Sequence, residues 1–396
     1  WRSMRRGKRI LFRLLLLLLS TAAVMLGLEI WLRVHGYEGE SDRQLIHFSP
    51  MSPPRELPAA QWYFQWPTSS PPGSQVEVNG QSITLEKPEE EFRVLFLGDS
   101  ATYGFGVKAA EAFPSQYQDL VQSTCPDAGI LAINAGIQGI NTVVELFMLQ
   151  KLVALSPDVV VLGIFVKNDI NTDLFSHRRL ERYQHASGVL ATLRGLRTRS
   201  ALVHYLYLKL LALNNREPLG ERGGDWVQDA LPVEFDSLMP EGLNLANYVE
   251  AEYALYQAEP APLLAEAYVV LSSLLQQMRA ICRTAGCTLV PLIIPTPAQV
   301  GGKLSPTHPG AASELEARGF SADVSSLDLD APSRAILEIC HELRLDCIDP
   351  TALLREMGPG EAFIQDDVHP SRKGHALLAR RLLAETDAWA GAECRP

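Results

Sequence analysis

From Phe92 onward the chain alternates short apolar runs with longer stretches of helical spacing. Phe92 to Leu97 is apolar except for Arg93 and stops abruptly at Gly98. So continuous a run suits a central parallel strand, covered by helices on both faces. Ile130–Asn134, Asp158–Phe165 and Thr288–Ile294 repeat the pattern, and Asp346–Asp349 gives a shorter version. Between them, apolar positions recur with helical period. They predict helices over Glu111–Thr124, Thr142–Leu155 (stopped by Pro157), Leu263–Thr284, Ser333–Leu343 and Ser371–Trp389. Alternation of this kind predicts an α/β chain, a three-layer α/β/α sandwich around a central parallel sheet.

Other stretches break the rhythm. Residues 35–90 are rich in Pro, Ser and polar groups, and read as a stalk. It carries one short hairpin, Gln75 to Leu85, around the turn pair Asn79-Gly80. The α/β pattern then fills residues 91–396. Its third and fourth strands are separated by about 120 residues, whereas a strand–helix–strand unit needs roughly 30. Residues 172–262 are therefore an insertion. Leu193 to Leu213 has helical apolar spacing, and Asn215 to Asp236 is loop-like and charged. The insertion reads equally as a lid over a site or as surface decoration. Residues 298–330 form a further Gly/Pro/Ser-rich loop near a strand end.

The N-terminus changes the picture from soluble to anchored. Arg2, Arg5, Arg6, Lys8, Arg9 and Arg13 precede an apolar stretch from Leu14 to Leu28, extended on either side to Ile10 and Leu32. Ile10 to Leu32 would measure roughly 34 Å as a helix, enough for a hydrocarbon core of about 30 Å. We expect residues 1–34 to be a signal-anchor in contact with the bilayer through residues 10–32. A cleaved leader is the rival, but no small-x-small site follows Leu32. Glu29 is tolerable only near the headgroups or against a partner helix, so a membrane partner protein is one reading of it. Basic flanks stay inside, which places the bulk of the chain outside the cytoplasm, on the periplasmic side of a bacterial-type inner membrane.

Composition sharpens this. Of 396 residues, 47% are hydrophobic and 20% charged, and the formal net charge of -11 excludes an ordinary nucleic-acid binder. In an oxidising compartment the six Cys become disulfide candidates. Cys282 with Cys287 and Cys340 with Cys347 would staple two helix-to-strand corners, leaving Cys125 with Cys394. No Cys-x-x-Cys pair suggests a zinc or thioredoxin site.

Candidate chemistry gathers at strand ends, where open α/β sheets hold ligands. The first strand ends in Gly98-Asp99-Ser100, with Ser100 as nucleophile or simply as a helix N-cap. A Ser nucleophile needs a base, and the base an orienting group. Of nine His, two have a carboxylate three residues upstream. His341 follows Glu338 inside a helix and reads as a solvated face. His369 follows Asp366 in a loop just before the last helix. Asp367 competes with Asp366 for the orienting role. The second strand ends in a Gly-rich turn, Gly136 to Gly139, and the third in Lys167-Asn168-Asp169. Both offer donors to an oxyanion.

Taken together, these blocks resemble the SGNH (GDSL-type) hydrolases, and in detail bacterial, membrane-tethered members with one N-terminal span. The resemblance runs from residue 92 to 376 and implies the flavodoxin-like fold of that family. It implies Ser100 as nucleophile, His369 as base and Asp366 as its orienting acid. It also implies an oxyanion hole from the N–H groups of Ser100 and Gly139 and the amide of Asn168. Gly374-His375 follows as in many members. Val166 replaces the usual Gly before the Asn block, and Ala101 a larger apolar residue after the nucleophile. The activity so implied is that of an extracytoplasmic serine esterase or acyltransferase, needing no cofactor or metal. It would act on an acyl group, acetyl first, of an envelope glycan. A lipid-directed esterase and a non-catalytic subunit of an envelope complex are the alternatives.

Overall fold

A computed structural model describes residues 2–34, 64–65, 73–174, 177, 196, 199–203, 205–206, 248–301, 313, 316–317 and 327–390. The chain divides into two units, Trp1–Trp62 with Leu180–Glu221, and Tyr63–Arg179 with Arg222–Pro396. The expected loop-like part of the insertion, Asn215 to Asp236, lies outside the described residues, as does Cys394.

The first unit contains helix α1 (Arg2–Val34). Its segment Leu15–Val34 is long and apolar enough to cross a membrane by length and composition.

The second unit is built on strands β1 (Phe64–Gln65), β2 (Gln75–Val78), β3 (Gln81–Thr84), β4 (Phe92–Leu97), β5 (Ile130–Asn134), β6 (Val159–Phe165) and β7 (Thr288–Ile294). Its helices are α2 (Ser100–Tyr103), α3 (Phe113–Thr124), α4 (Thr142–Leu152), α5 (Tyr248–Leu255), α6 (Pro262–Ala285), α7 (Pro297–Gly301), α8 (Ala331–Glu342), α9 (Thr351–Met357), α10 (Pro359–Ala362) and α11 (Arg372–Ala390). β4 to β7 form a parallel sheet in the order β5-β4-β6-β7. The predicted fifth strand shrinks to a single parallel bridge, Ile348 against Leu292. Even so, it completes the doubly wound order in which chain reversal opens a crevice beside the first strand. Thr142–Leu155 ends its α-helical part at Leu152 and closes with one 3-10 turn.

Hydrophobicity explains the layering. Val94, Leu95, Phe96 and Leu97 are fully buried, as β4 lies between two neighbours and under helices on both faces. Phe96 packs edge-on against Phe113 and Tyr117 of α3, with ring centroids 5.7 and 5.4 Å apart. Such pairs add about 0.5–1.5 kcal/mol beyond area burial.

β5 is an edge strand, and its outward side is closed by side-chain amides. Gln118 of α3 accepts from Ala132 N–H (2.6 Å) and donates to the Ile130 carbonyl (3.1 Å). Gln81 donates to the Ala132 carbonyl (3.0 Å) and accepts from Asn134 N–H (2.9 Å). Asn79 donates to the carbonyls of Asn134 (2.9 Å) and Gly136 (2.8 Å). The hairpin expected in the stalk is thus docked on the sheet, its Val76, Val78 and Ile83 buried.

The local disulfides expected at Cys282–Cys287 and Cys340–Cys347 are not formed. All four are free thiols. Cys125 is disulfide-bonded.

Candidate active site

The nucleophile turn follows from a capping acid and several glycines. Asp99 caps α2, its Oδ1 accepting from Ala101 N–H at 2.9 Å. Gly104, in the left-handed region at φ 93°, closes the helix after one turn. Thr102 is wedged below Ser100, and no Cβ fits at Gly98 or Gly163: each would lie 2.1 or 2.3 Å from the Thr102 Oγ1. Gly136 meets the Thr102–Tyr103 backbone as closely, its imagined Cβ 2.3 Å from Tyr103 N. These glycines let the Ser100 turn sit directly on the ends of β5 and β6. Ile137 N–H donates to the Gly98 carbonyl at 3.0 Å, which aligns the turn that ends at Gly139. Gly139 holds φ 75°, accessible to glycine at little cost.

The base arrives from the other end of the chain. Residues 363–370 form a tight loop, closed by an antiparallel bridge between Phe363 and Pro370 and by Ile364 N–H on the His369 carbonyl at 3.0 Å. This loop puts His369 Nε2 2.8 Å from Ser100 Oγ. Its rim is apolar: the rings of Phe105 and Phe165 lie 4.6 and 5.7 Å from the imidazole.

The carboxylate paired with His369 is that of Asp367, not the Asp366 that the spacing favoured. Asp367 Oδ1 lies 2.6 Å from His369 Nδ1 and also accepts His369 N–H at 2.9 Å. Burial alone would raise the Asp367 carboxyl; its bonds to His369 hold it below the usual range. Asp366 sits at the exposed tip of the loop with φ 57°. The turn from Ile364 to Asp367 spends that residue on changing direction and aims its side chain outward.

Asn168 reaches the expected rim. Val166 N–H on the Ile294 carbonyl (3.1 Å) and Asn168 N–H on the Phe165 carbonyl (3.2 Å) fold the chain back after β6. Lys167, buried with Glu252 of α5 at 2.5 Å, secures the same turn. One amide hydrogen of Asn168 goes to Asp99 Oδ2 at 3.0 Å. An amide has two, and Asn168 Oδ1 is buried without a hydrogen-bond partner.

Beneath this rim lie acids that the spacing argument missed. Asp99, Glu145, Asp169 and Asp173 are all fully buried. Glu145, on α4, has no partner for either oxygen, and Asp169 Oδ1 and Asp173 Oδ2 are likewise unpaired. Burial, first, and mutual repulsion, second, push Glu145 and Asp169 well above the carboxylate range. Asp173 is pushed up to about 7 by burial, against the pull of its bond from Val143 N–H. The one available signal was positional: Asp99, Asp169 and Asp173 flank strand ends that also carry Ser100 and Asn168. His375 proves structural. It is buried, stacks on Phe113 and accepts Phe113 N–H at its Nδ1 (3.2 Å), while burial lowers it to about 3.

A GDSL-like lipase/acylhydrolase family model matches residues 96–377. Solved structures are similar at low identity. Axe2, an acetylxylan esterase from Geobacillus stearothermophilus, is 15% identical, covering 78% of this chain and 99% of its own, with a TM-score of 0.39. LAE5, an α/β hydrolase from the metagenome of Lake Arreo, Spain, is 13% identical over 75% and 96%, with a TM-score of 0.37. TesA is 14% identical over 75% and 99%, with a TM-score of 0.36. No curated protein matches. With a family model covering residues 96–377, including the Ser100 turn and the His369 loop, the chain belongs to the GDSL-like lipase/acylhydrolase (SGNH) family, serine hydrolases acting on esters.

Proposed function

We propose that this protein is a membrane-anchored, extracytoplasmic esterase or O-acyltransferase that removes or moves an acetyl group on an envelope glycan. The observation that carries the chemistry is the 2.8 Å contact between Ser100 Oγ and His369 Nε2, backed by Asp367. His369 takes the hydroxyl proton as Ser100 attacks the ester carbonyl. The N–H groups of Ser100 and Gly139 and the second amide hydrogen of Asn168 hold the oxyanion. The alcohol leaves with the proton from His369. Water, or an acceptor hydroxyl, then attacks the acyl-Ser100 ester with His369 again as base. The apolar, basic-flanked α1 supports attachment, and the polar stalk supports a polymer held away from the bilayer over a lipid.

A longer acyl chain is the second reading, favoured by Tyr103 and Phe105, each 39% exposed beside Ser100. Full-length chain should label with a fluorophosphonate probe, and the label should vanish in Ser100→Ala. Absence of labelling with correctly folded protein leaves the non-catalytic subunit. Acetate release from O-acetylated polysaccharide, set against cleavage of p-nitrophenyl esters of increasing chain length, separates the two substrate readings.

A further inference from the structure

Glu29 lies near the C-terminal end of α1, and its carboxylate is taken by the chain's own insertion. Oε1 accepts from Ala201 N–H (3.0 Å) and from Arg33 Nε (2.7 Å). Oε2 accepts from Ser200 Oγ (2.8 Å) and Leu202 N–H (2.9 Å). Arg33 also donates to the Arg199 carbonyl at 2.7 Å. The Ser200 hydroxyl oxygen in turn accepts Val203 N–H at 3.2 Å, so it caps the turn that it helps to present. Beside these bonds Leu32 is 3% exposed, packed on Ala201, Leu202 and Tyr205.

Two facts follow from this geometry. The first N–H groups of a helical turn lack partners within it and favour an anion. Here they meet the one carboxylate of an apolar helix, a group that is costly at membrane depth unless paired. The same contacts join positions some 170 residues apart, so a leader removed at maturation would strip Ala201 and Leu202 of their acceptor and uncover their side chains. From Ala201 to Leu213 only His204 and Lys209 are basic or strongly polar. An apolar stretch of that length is too short to cross a bilayer and suits its interface. Leu196 and Leu206 are 49% and 47% exposed, as are the apolar flanks of α1, including Ile30 at 53%.

We propose that Leu196, the turn from Arg199 to Val203, Tyr205 and Leu206 form a membrane-surface element of the anchor. It is seated on the outer end of α1 through Glu29, rests Leu196 and Leu206 against lipid, and makes α1 a retained part of the mature chain. This rests on the reading of α1 as a bilayer span.

The test uses full-length protein in phosphatidylcholine/phosphatidylglycerol nanodiscs, with Glu29→Ala beside the wild type. Fluorophosphonate labelling of Ser100 reports that both are folded. Hydrogen exchange at Ala201 and Leu202 should be about tenfold faster in Glu29→Ala, the loss expected for a charge-assisted hydrogen bond. A photoactivatable phospholipid should crosslink to the 196–206 peptide in the wild type and much less in the variant. Unchanged exchange, or lipid crosslinks confined to α1, overturns the proposal. Alkaline carbonate extraction from vesicles reads the span separately. Chain released with its 201–202 protection intact refutes the span, whereas chain retained without that protection refutes the docking.

Discussion

The rim and the floor of the active site treat carboxylates in opposite ways. At the rim, Asp367 is part-exposed and hydrogen-bonded to His369, and its carboxyl is held down. Below, Asp99, Glu145, Asp169 and Asp173 are sealed from water, and burial drives each of them up. The functional group is the same carboxyl and the chemistry differs because solvent and partners differ. The rim holds an anion hydrogen-bonded to the His369 ring. The floor packs its acids beneath the rim, where burial disfavours their charge, and Asp99 links the two through Asn168 and Ala101.

The sharpest way to break this contrast is at the rim. Ser100→Ala should cost on the order of 10⁶ in kcat, read by ester turnover and loss of fluorophosphonate labelling. Asp367→Asn should cost about 10⁴ in kcat while Asp366→Asn stays within about twofold. The reverse ranking would return the orienting role to Asp366. Asn168→Ala should cost about 10²–10³ in kcat with little change in KM, the signature of a donor used in the transition state. Effects at the floor should be smaller and thermodynamic. Between pH 3.8, the ordinary value, and about 7, folded Asp173 keeps a proton that the unfolded chain loses. Stability should therefore fall as pH rises through that window. Asp99, Glu145 and Asp169 bias the site the same way. Asp173→Asn should flatten part of the decline, measured as denaturant midpoint against pH. His375 acts oppositely: held neutral to about 3, it costs stability as pH falls below 6.5.

Much of this was legible beforehand because it depends on short-range pattern. The apolar runs of β4, β6 and β7 and their terminating Gly or polar residues fixed the sheet and its functional edge. Ser100, Gly139 and Asn168 follow β4, β5 and β6, three strands that lie side by side in the sheet in the order β5-β4-β6. Asp366 against Asp367 was not legible. Spacing cannot say which of two adjacent acids occupies the left-handed position of a turn. The buried floor was hidden for a related reason: Glu145 sits in a helix whose apolar positions surround it, and a lone acid there reads as solvent-facing. The cysteine corners had suitable spacing, yet spacing does not determine oxidation state. The fifth strand is shorter than its apolar run suggests, because that run pairs only at Ile348.

The three amides along β5 carry a consequence for association. A sheet margin normally offers dangling donors and acceptors that recruit a foreign strand. Gln118, Gln81 and Asn79 stand in for that missing neighbour, group by group. On that flank the molecule has already made the bonds by which sheets grow, so a Gln81→Ala chain is the one that should begin to coalesce on storage.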